Sequence, residues 1–255
     1  MILDSLKLTG KNALVTGSQQ GLGAGIAKGL AEAGANVMVH GIEAEKAEAV
    51  RDDICKVAGV QALSVIGDVC DQGFCEHMIA RTVEAFGSID ILVNNAGIIR
   101  RAPAVEHSLA DWHDVIETNL SSIFRLCQSA GRRMLPQGHG KIINIASLLS
   151  FQGGVFVPGY AAAKGGVAQL TKALANEWAP KGVNVNAIAP GYMATDNTAA
   201  LRADPQRSRQ ILERIPAGRW GTPRDLAGVA VFLASSASDY VNGHVLVVDG
   251  GWMGR

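Results

Sequence analysis

The stretch NALVTGSQQGLGAGIAKGL, residues 12–30, changes its period midway. NALVTG (12–17) is a short apolar run ending in glycine, as expected of a strand buried on both faces. LGAGIAKGLAEAGA (22–35) is rich in small residues and reads as a helix packed closely on its neighbours. Between them TGSQQGLG (16–23) makes a glycine-rich turn from strand to helix. Gly17 allows the tight turn, Gly21 lets a ligand approach the backbone, and Gly23 permits close helix–strand packing. A pyrophosphate suits such a helix N-terminus, where unpaired N–H groups and the helix dipole favour an anion. The spacing is GxxxGxG rather than GxGxxG, and a glycine turn needed only for packing is the alternative. The strand–turn–helix setting favours dinucleotide binding.

Working outward, the same alternation repeats along the chain. Strand-like runs recur at 36–40, 62–69, 90–97, 141–147, 183–190 and 244–251, with helical patterns at 43–58, 71–86, 108–135, 158–179 and 223–234. Apolar strands alternating with helices predict an α/β fold, a doubly wound parallel sheet with helices on both faces. No repeat or linker divides residues 1–255, so one domain is expected. The long irregular stretch 190–207 reads as the start of a substrate lid over about 190–215. Ligands in such sheets bind beyond the carboxyl ends of the strands, which points to 16–23, 94–101, 147–153 and 190–198 together.

Composition narrows the function classes. Lys+Arg and Asp+Glu both number 23, so no net field draws the chain to nucleic acid or a membrane surface. Four cysteines, Cys55, Cys70, Cys75 and Cys127, show no CxxC and read as reduced thiols. Six histidines are scattered without ligand spacing, so no metal site is expected. No signal peptide or transmembrane run is visible, and the expected location is the cytoplasm.

The chemistry turns on VPGYAAAKGG (157–166). Tyr160 and Lys164 stand one helical turn apart on one face. Alone, the pair reads as an ordinary amphipathic helix; together with TGSQQGLG, NNAG (94–97), Asn119 in ETNLSS and Ser147 in INIAS, it resembles the short-chain dehydrogenase/reductase family. The likeness covers essentially the whole chain and implies a Rossmann-type sheet of seven strands, a nicotinamide cofactor and a homotetramer. It also implies a catalytic tetrad of Asn119, Ser147, Tyr160 and Lys164. A free tyrosine titrates near 10; a neighbouring ammonium and an oxidised nicotinamide are expected to lower that value. Tyr160 then exchanges a proton with an alcohol or carbonyl, Ser147 holds the substrate oxygen, Lys164 holds ribose hydroxyls, and Asn119 orders a water leading to solvent.

By the same resemblance, cofactor contacts fall at Gly17, Gln19, Gln20, Gly21, Leu22, Gly23, His40, Asp68, Val69, Asn94, Ala96, Gly97, Tyr160, Lys164, Pro190, Gly191, Met193 and Thr195. For Asp68 the alternative is a helix cap, a role Asp71 could also fill. After the second strand many members carry an Asp for NAD or an Arg for NADP; this chain reads VHGIEAEK, with His40, Gly41 and Ile42. A dianionic 2′-phosphate needs a charged partner, so NAD is favoured over NADP, with Lys46 as the one base able to reach in.

Longer stretches, among them NNAGIIRR (94–101), KIINIASLLSFQGG (141–154) and RIPAGRWG (214–221), resemble family members acting on deoxy sugar acids. That implies hydride transfer at C5 of 2-dehydro-3-deoxy-D-gluconate or C3 of 2-deoxy-D-gluconate. The alternatives are a gluconate 5-dehydrogenase, a 3-hydroxy-acid dehydrogenase, or a catalytically silent dinucleotide-binding sensor. Substrate contacts are expected from Arg101, Ser147, Gln152, Tyr160 and Tyr192. A guanidinium suits a carboxylate bidentately, and Arg101 is preferred over Arg100. Loop bonding for Gln152 and lid packing for Tyr192 weigh equally. Arg219 reads as a structural buttress, and Arg202 is left open.

Overall fold

The seven apolar runs become seven parallel strands, the central ones buried on both faces and the two at the edges partly exposed. The computed structural model describes residues 1–57, 59–71 and 73–255. The strands are β1 Asn12–Val15, β2 Asn36–Gly41, β3 Ala62–Ile66, β4 Ile91–Asn94, β5 Gly140–Ile145, β6 Val183–Pro190 and β7 Val245–Val248. Their order is β3-β2-β1-β4-β5-β6-β7, so winding reverses between β1 and β4. Helices follow as α1 Gly21–Glu32, α2 Ala44–Ile54, α3 Phe74–Phe86, α4 Leu109–Ile116, α5 Ser122–Gln137, α6 Pro158–Trp178, α7 Ala199–Ala203, α8 Pro205–Arg214 and α9 Pro223–Ala234.

Strand alternation sends Leu14, Met38, Leu92 and Ile142 to one face, packed with side chains of α3, α5 and α6. Ala13, Val15, Val37 and Val93 face the other way, onto α1, α2 and α9. The small-residue pattern of α1 has a direct cause. A Cβ on Gly25 would stand 2.5 Å from Pro223 Cβ, and one on Gly29 2.6 Å from Ala227 Cβ. Only a glycine stripe lets α1 seat against α9 at this distance.

Three elements differ from the sequence reading. The helix expected over 43–58 ends at Ile54, and residue 58 lies outside the described residues. The helix expected over 108–135 is interrupted at Glu117–Ser121 by a π turn that holds Asn119; such turns occur frequently at functional sites. The stretch expected to be irregular from 190 is mostly helical from Asp196 onward. The side chain of Asp204 accepts from the N–H groups of Gln206 and Arg207, and Pro205 occupies the first turn of α8. That Asp-Pro start is a helix signal in its own right. Among the described residues no helix is long and apolar enough to cross a membrane.

Candidate active site

The crevice lies beyond the carboxyl ends of β1 and β4, where the winding reverses. Thr16 is buried, and its Oγ1 accepts from the N–H groups of Asn95 at 3.0 Å and Ala96 at 3.1 Å. Asn95 Nδ2 returns bonds to the carbonyls of Thr16 and Gly17, at 2.9 and 3.0 Å. The turn after β1 is therefore stitched to the NNAG turn after β4. Gly17 has φ +60° and Gly21 φ +57°, the left-handed region that favours glycine. A Cβ on Gly23 would lie 2.4 Å from Gly17 O, and one on Gly17 2.9 Å from Ala96 Cα. Gln20 precedes α1 without capping it, so the first-turn N–H groups of Gly21, Leu22 and Gly23 have no side-chain cap. A cradle of backbone with unpaired amides at a helix N-terminus fits a pyrophosphate, and so fits a dinucleotide.

Other predicted contacts divide by what their side chains already hold. His40 is buried, with Nδ1 accepting from Gly17 N–H at 3.0 Å and Nε2 3.0 Å from Gly67 O. Asn94 turns into the core, where its Nδ2 donates to Asn144 Oδ1 at 2.8 Å, leaving only its backbone toward the crevice. The Asp68 carboxylate accepts from Cys70 N–H; α3 starts after Gly73 with no side-chain cap, so neither Asp68 nor Asp71 caps it. Val69 is buried and its carbonyl accepts from Arg125. Gly97 abuts Asn119 Oδ1. Pro190 ends β6, Gly191 N–H donates to Val248 O, and Met193 is buried. Thr195 Cγ2 lies 3.9 Å from where a Cβ on Gly21 would be, which brings the end of β6 over the glycine turn. Gln19 Oε1 accepts from Glu43 N–H at 2.9 Å, its Nε2 donates to Glu43 Oε1 at 3.2 Å, and Lys46 Nζ is 2.8 Å from Glu43 Oε2. Lys46, the base able to reach in, is thus already paired.

Across the crevice, Ser147 follows β5 and caps a short 3-10 turn through its bond from Leu149 N–H. Ser150 Oγ donates to the Lys164 carbonyl at 2.6 Å, tying that turn to α6. Tyr160 and Lys164 share a face of α6, with Nζ 5.6 Å from the phenol ring centroid. Lys164 is 3% exposed, and its ammonium donates to Ile145 O. Burial pushes its pKa down to about 8. The expected lowering of Tyr160 does not hold in the protein alone. Burial pushes the phenol up, opposed by the Ser147 hydroxyl and by the charge of Arg101; the lysine sits over the ring rather than at the hydroxyl. Asn119 is fully buried, and its amide both accepts from Ile98 N–H and donates to Ile98 O, each at 2.8 Å. Its side chain therefore braces the loop after β4 rather than facing water.

The two neighbouring arginines separate as expected of an extended segment. Arg100 pairs with Asp111 at 3.3 Å and Asp114 at 3.8 Å on α4. Arg101 turns to the segment after β6, with Nη2 3.5 Å from Asn197 O, and its charge reaches Tyr160. Arg202 donates to Thr195 O, and Arg219 forms a two-point pair with Asp225 at 2.7 Å, a buttress. The Gln152 side chain has no protein hydrogen bond among the described residues, while its N–H is held by Leu148 O. The ring of Tyr192 packs between Trp220 and Trp252, with centroids at 5.7 and 4.6 Å. That contact belongs to a small core under α8 that also includes Leu148, Ile211 and Ile215. Sequence reasoning assigned no role to Thr16, Asn95, Ser150 or Glu43, although each lies inside a quoted stretch, because each acts through a partner elsewhere in the chain.

Comparison with known proteins agrees with this geometry. Residues 17–253 match the family profile described as Enoyl-(Acyl carrier protein) reductase. The 2-dehydro-3-deoxy-D-gluconate 5-dehydrogenases of Dickeya dadantii and Escherichia coli are 55% and 54% identical, each over 100% of both chains. A gluconate 5-dehydrogenase from Burkholderia cenocepacia, solved in complex with NADP and tartrate, is 42% identical over 100% of both chains with a TM-score of 0.95. The chain belongs to the short-chain dehydrogenase/reductase family and is an oxidoreductase acting on CH–OH groups through a nicotinamide dinucleotide.

Proposed function

We propose that this chain transfers hydride between NAD(H) and a secondary alcohol or ketone of a deoxy sugar acid, with C5 of 2-dehydro-3-deoxy-D-gluconate as the leading site. The observation carrying the reading is the convergence of Ser147, Tyr160 and Lys164 with Arg101, whose charge is felt at the phenol. A cation on the same wall as the proton donor suits a substrate that carries a carboxylate as well as the reacting carbinol. The relatives of that name, at 54–55% identity, support it.

When bound, the nicotinamide ring provides the acceptor or donor of hydride. The rest falls to side chains. Ser147 donates to the substrate oxygen and fixes its position. Tyr160 takes the hydroxyl proton during oxidation and returns it during reduction. Lys164, with one protein acceptor for its ammonium among the described residues, has donors left for ribose hydroxyls. With the Asn119 amide committed to Ile98, its part in a proton path falls to its backbone within the π turn. Arg101 takes the carboxylate, Gln152 a sugar hydroxyl, and residues 190–215 act as the lid, with Tyr192 as part of its internal packing.

NAD is favoured because Glu43 pairs with Lys46 and places a carboxylate just after β2. The enzyme is read as a cytoplasmic homotetramer; the exposed Leu109 of α4 and Phe124 of α5 support a subunit contact. The test is NADH absorbance with a panel of deoxy sugar acids, gluconates and 3-hydroxy acids, together with light scattering for the assembly. Turnover of gluconate alone would move the reading to a gluconate 5-dehydrogenase. Dinucleotide binding with no turnover of any acid would leave a sensor.

A further inference from the structure

The imidazole of His40 is 2% exposed, and backbone occupies both its nitrogens. An amide N–H only donates and a carbonyl only accepts. Gly17 N–H at Nδ1 and Gly67 O at Nε2 therefore fix one tautomer, neutral, with the proton on Nε2. The two partners lie on different turns. Gly17 opens the glycine-rich turn after β1, and Gly67 leads from β3 into Asp68 and Val69. The backbone of His40 grips the first turn as well: its N–H donates to Ser18 Oγ at 3.0 Å, and its carbonyl accepts from Ser18 N–H at 2.8 Å. On the α3 side the ring of Phe74 lies 5.8 Å from the imidazole and closes over Gly67.

We infer that His40 is a positioning residue for the dinucleotide: its neutral ring sets the spacing between the turn that holds the pyrophosphate and the turn that meets adenine, and protonating the ring releases Gly17. The inference rests on the dinucleotide reading of these two turns. Protonation makes both nitrogens donors, so one N–H would confront the N–H of Gly17 inside a buried site. The groups facing the ring are the Gly17 amide from the turn after β1, the Gly67 carbonyl and Asp68 carboxylate from the turn after β3, and Phe74 from α3, with His77 stacked beyond Phe74; the Ser18 hydroxyl holds the His40 backbone. Asp68 favours the charged ring, but burial outweighs it and holds the pKa below the ordinary value. Folded His40 thus stays neutral where the unfolded chain already protonates. The spacing is intact above about pH 6.5 and is lost as pH falls through the lower folded pKa.

NADH fluorescence titrations between about pH 5 and pH 8 test this. The wild type should lose about tenfold in affinity toward the acid end. His40→Leu removes both bonds and should bind about tenfold more weakly at every pH, with no acid limb. His40→Asn sets a non-titrating Oδ1 where Nδ1 accepted, so it should recover most of the neutral-pH affinity and stay flat on acidification. His77→Gln should keep the wild-type limb. An unchanged acid limb in His40→Asn overturns the inference, whereas a wild type that binds no NADH at any pH removes the dinucleotide reading itself. Should the leucine variant not fold, ¹⁵N-histidine NMR of the ligand-free wild type decides. A His40 signal with the proton on Nε2, neutral above pH 6.5, is expected; an Nδ1–H tautomer or ordinary titration overturns the proposal.

Discussion

The two walls of the crevice use their polar side chains in opposite ways. On the nucleotide wall, Thr16, Ser18, His40 and Asn95 all turn inward to backbone groups, and what they leave exposed is the bare main chain of the glycine turn. On the catalytic wall, among the described residues, Lys164 has one carbonyl acceptor and Arg101 a single long contact at 3.5 Å. Those side chains keep donors for a ligand. On the proposed reading, a dinucleotide common to a large family would be met by backbone, whose shape many sequences can build, and a particular substrate by side chains, each acting by its own chemistry. Substitutions on the first wall should act through geometry and change affinity for any adenine dinucleotide. Substitutions on the second should act on one step or one substrate.

The sharpest division is expected at Tyr160→Phe. Removing the hydroxyl should lower turnover by roughly 10²–10⁴-fold, while NADH fluorescence reports nearly normal binding. A loss of binding as large as the loss of rate would join the two walls into one structural unit and break the comparison.

Next in size is a pH effect confined to the catalytic wall. Burial holds Lys164 at about 8 against an ordinary 10.5. Between those values the unfolded chain binds more protons than the folded one, so the stability of the ligand-free protein should rise with pH across that window and level off above it. The rise attributable to Lys164 is at most about 3 kcal/mol, and Lys164→Met should abolish it in chemical unfolding at both ends of the window. Parallel curves for variant and wild type would mean that the ammonium is solvated.

These two side chains were legible in the sequence because their spacing is their geometry: residues four apart on a helix share a face whatever surrounds them. The sheet was legible for a similar reason, since strands buried on both faces read as apolar runs. What sequence hid depends on partners far along the chain. Asn119 was visible as a motif residue, but that both ends of its amide grip Ile98 follows from a π turn that no periodicity announces. Asn94 and Asn95 are adjacent and alike, yet one is buried in the core and the other braces the glycine turn. The helices after 195 were missed because a short polar segment gains its helix from the core of Tyr192, Trp220 and Trp252 beneath it, although the Asp204-Pro205 start was there to be read.

Arg101 sharpens the comparison from the substrate side. Arg101→Ala should raise KM for the sugar acid more than tenfold, since a charge-assisted bond is worth about 1.5–3 kcal/mol. Arg101→Lys should recover only part, for want of the planar fork. A neutral substrate without the carboxylate should respond little to either change. Arg100→Ala, which breaks only exposed pairs with Asp111 and Asp114, should be nearly silent. Equal damage to acid and neutral substrates would make Arg101 a brace for the segment after β6.

On the opposite wall, Thr16→Val keeps the shape and removes the acceptor shared by Asn95 and Ala96. Leaving buried N–H groups unpaired costs about 1–3 kcal/mol, part of it seen as lower thermal stability. The affinities for NADH and for ADP-ribose should fall together, because both meet the same backbone. A variant that loses only nicotinamide affinity would show that Thr16 acts on the catalytic wall.

The smallest effect is expected at Glu43, proposed to lie on the nucleotide wall beside the ribose position at which the two cofactors differ. Its carboxylate sits between Gln19 and Lys46 at the start of α2 and is half exposed. On the NAD reading, a carboxylate there would accept from a ribose 2′-hydroxyl and repel a 2′-phosphate, and its pair with Lys46 would keep that charge from a phosphate. Glu43→Gln removes the repulsion and frees the lysine while retaining the backbone bond to Gln19. Exposed charges act weakly, so the ratio of NADPH to NADH affinity should rise by only about three- to tenfold, and the gain should shrink as salt is added. Lys46→Ala in that background should take the gain away. If Glu43→Gln leaves the ratio unmoved, the choice of cofactor lies in the backbone of β2 and the glycine turn, and the nucleotide wall is read by main chain throughout.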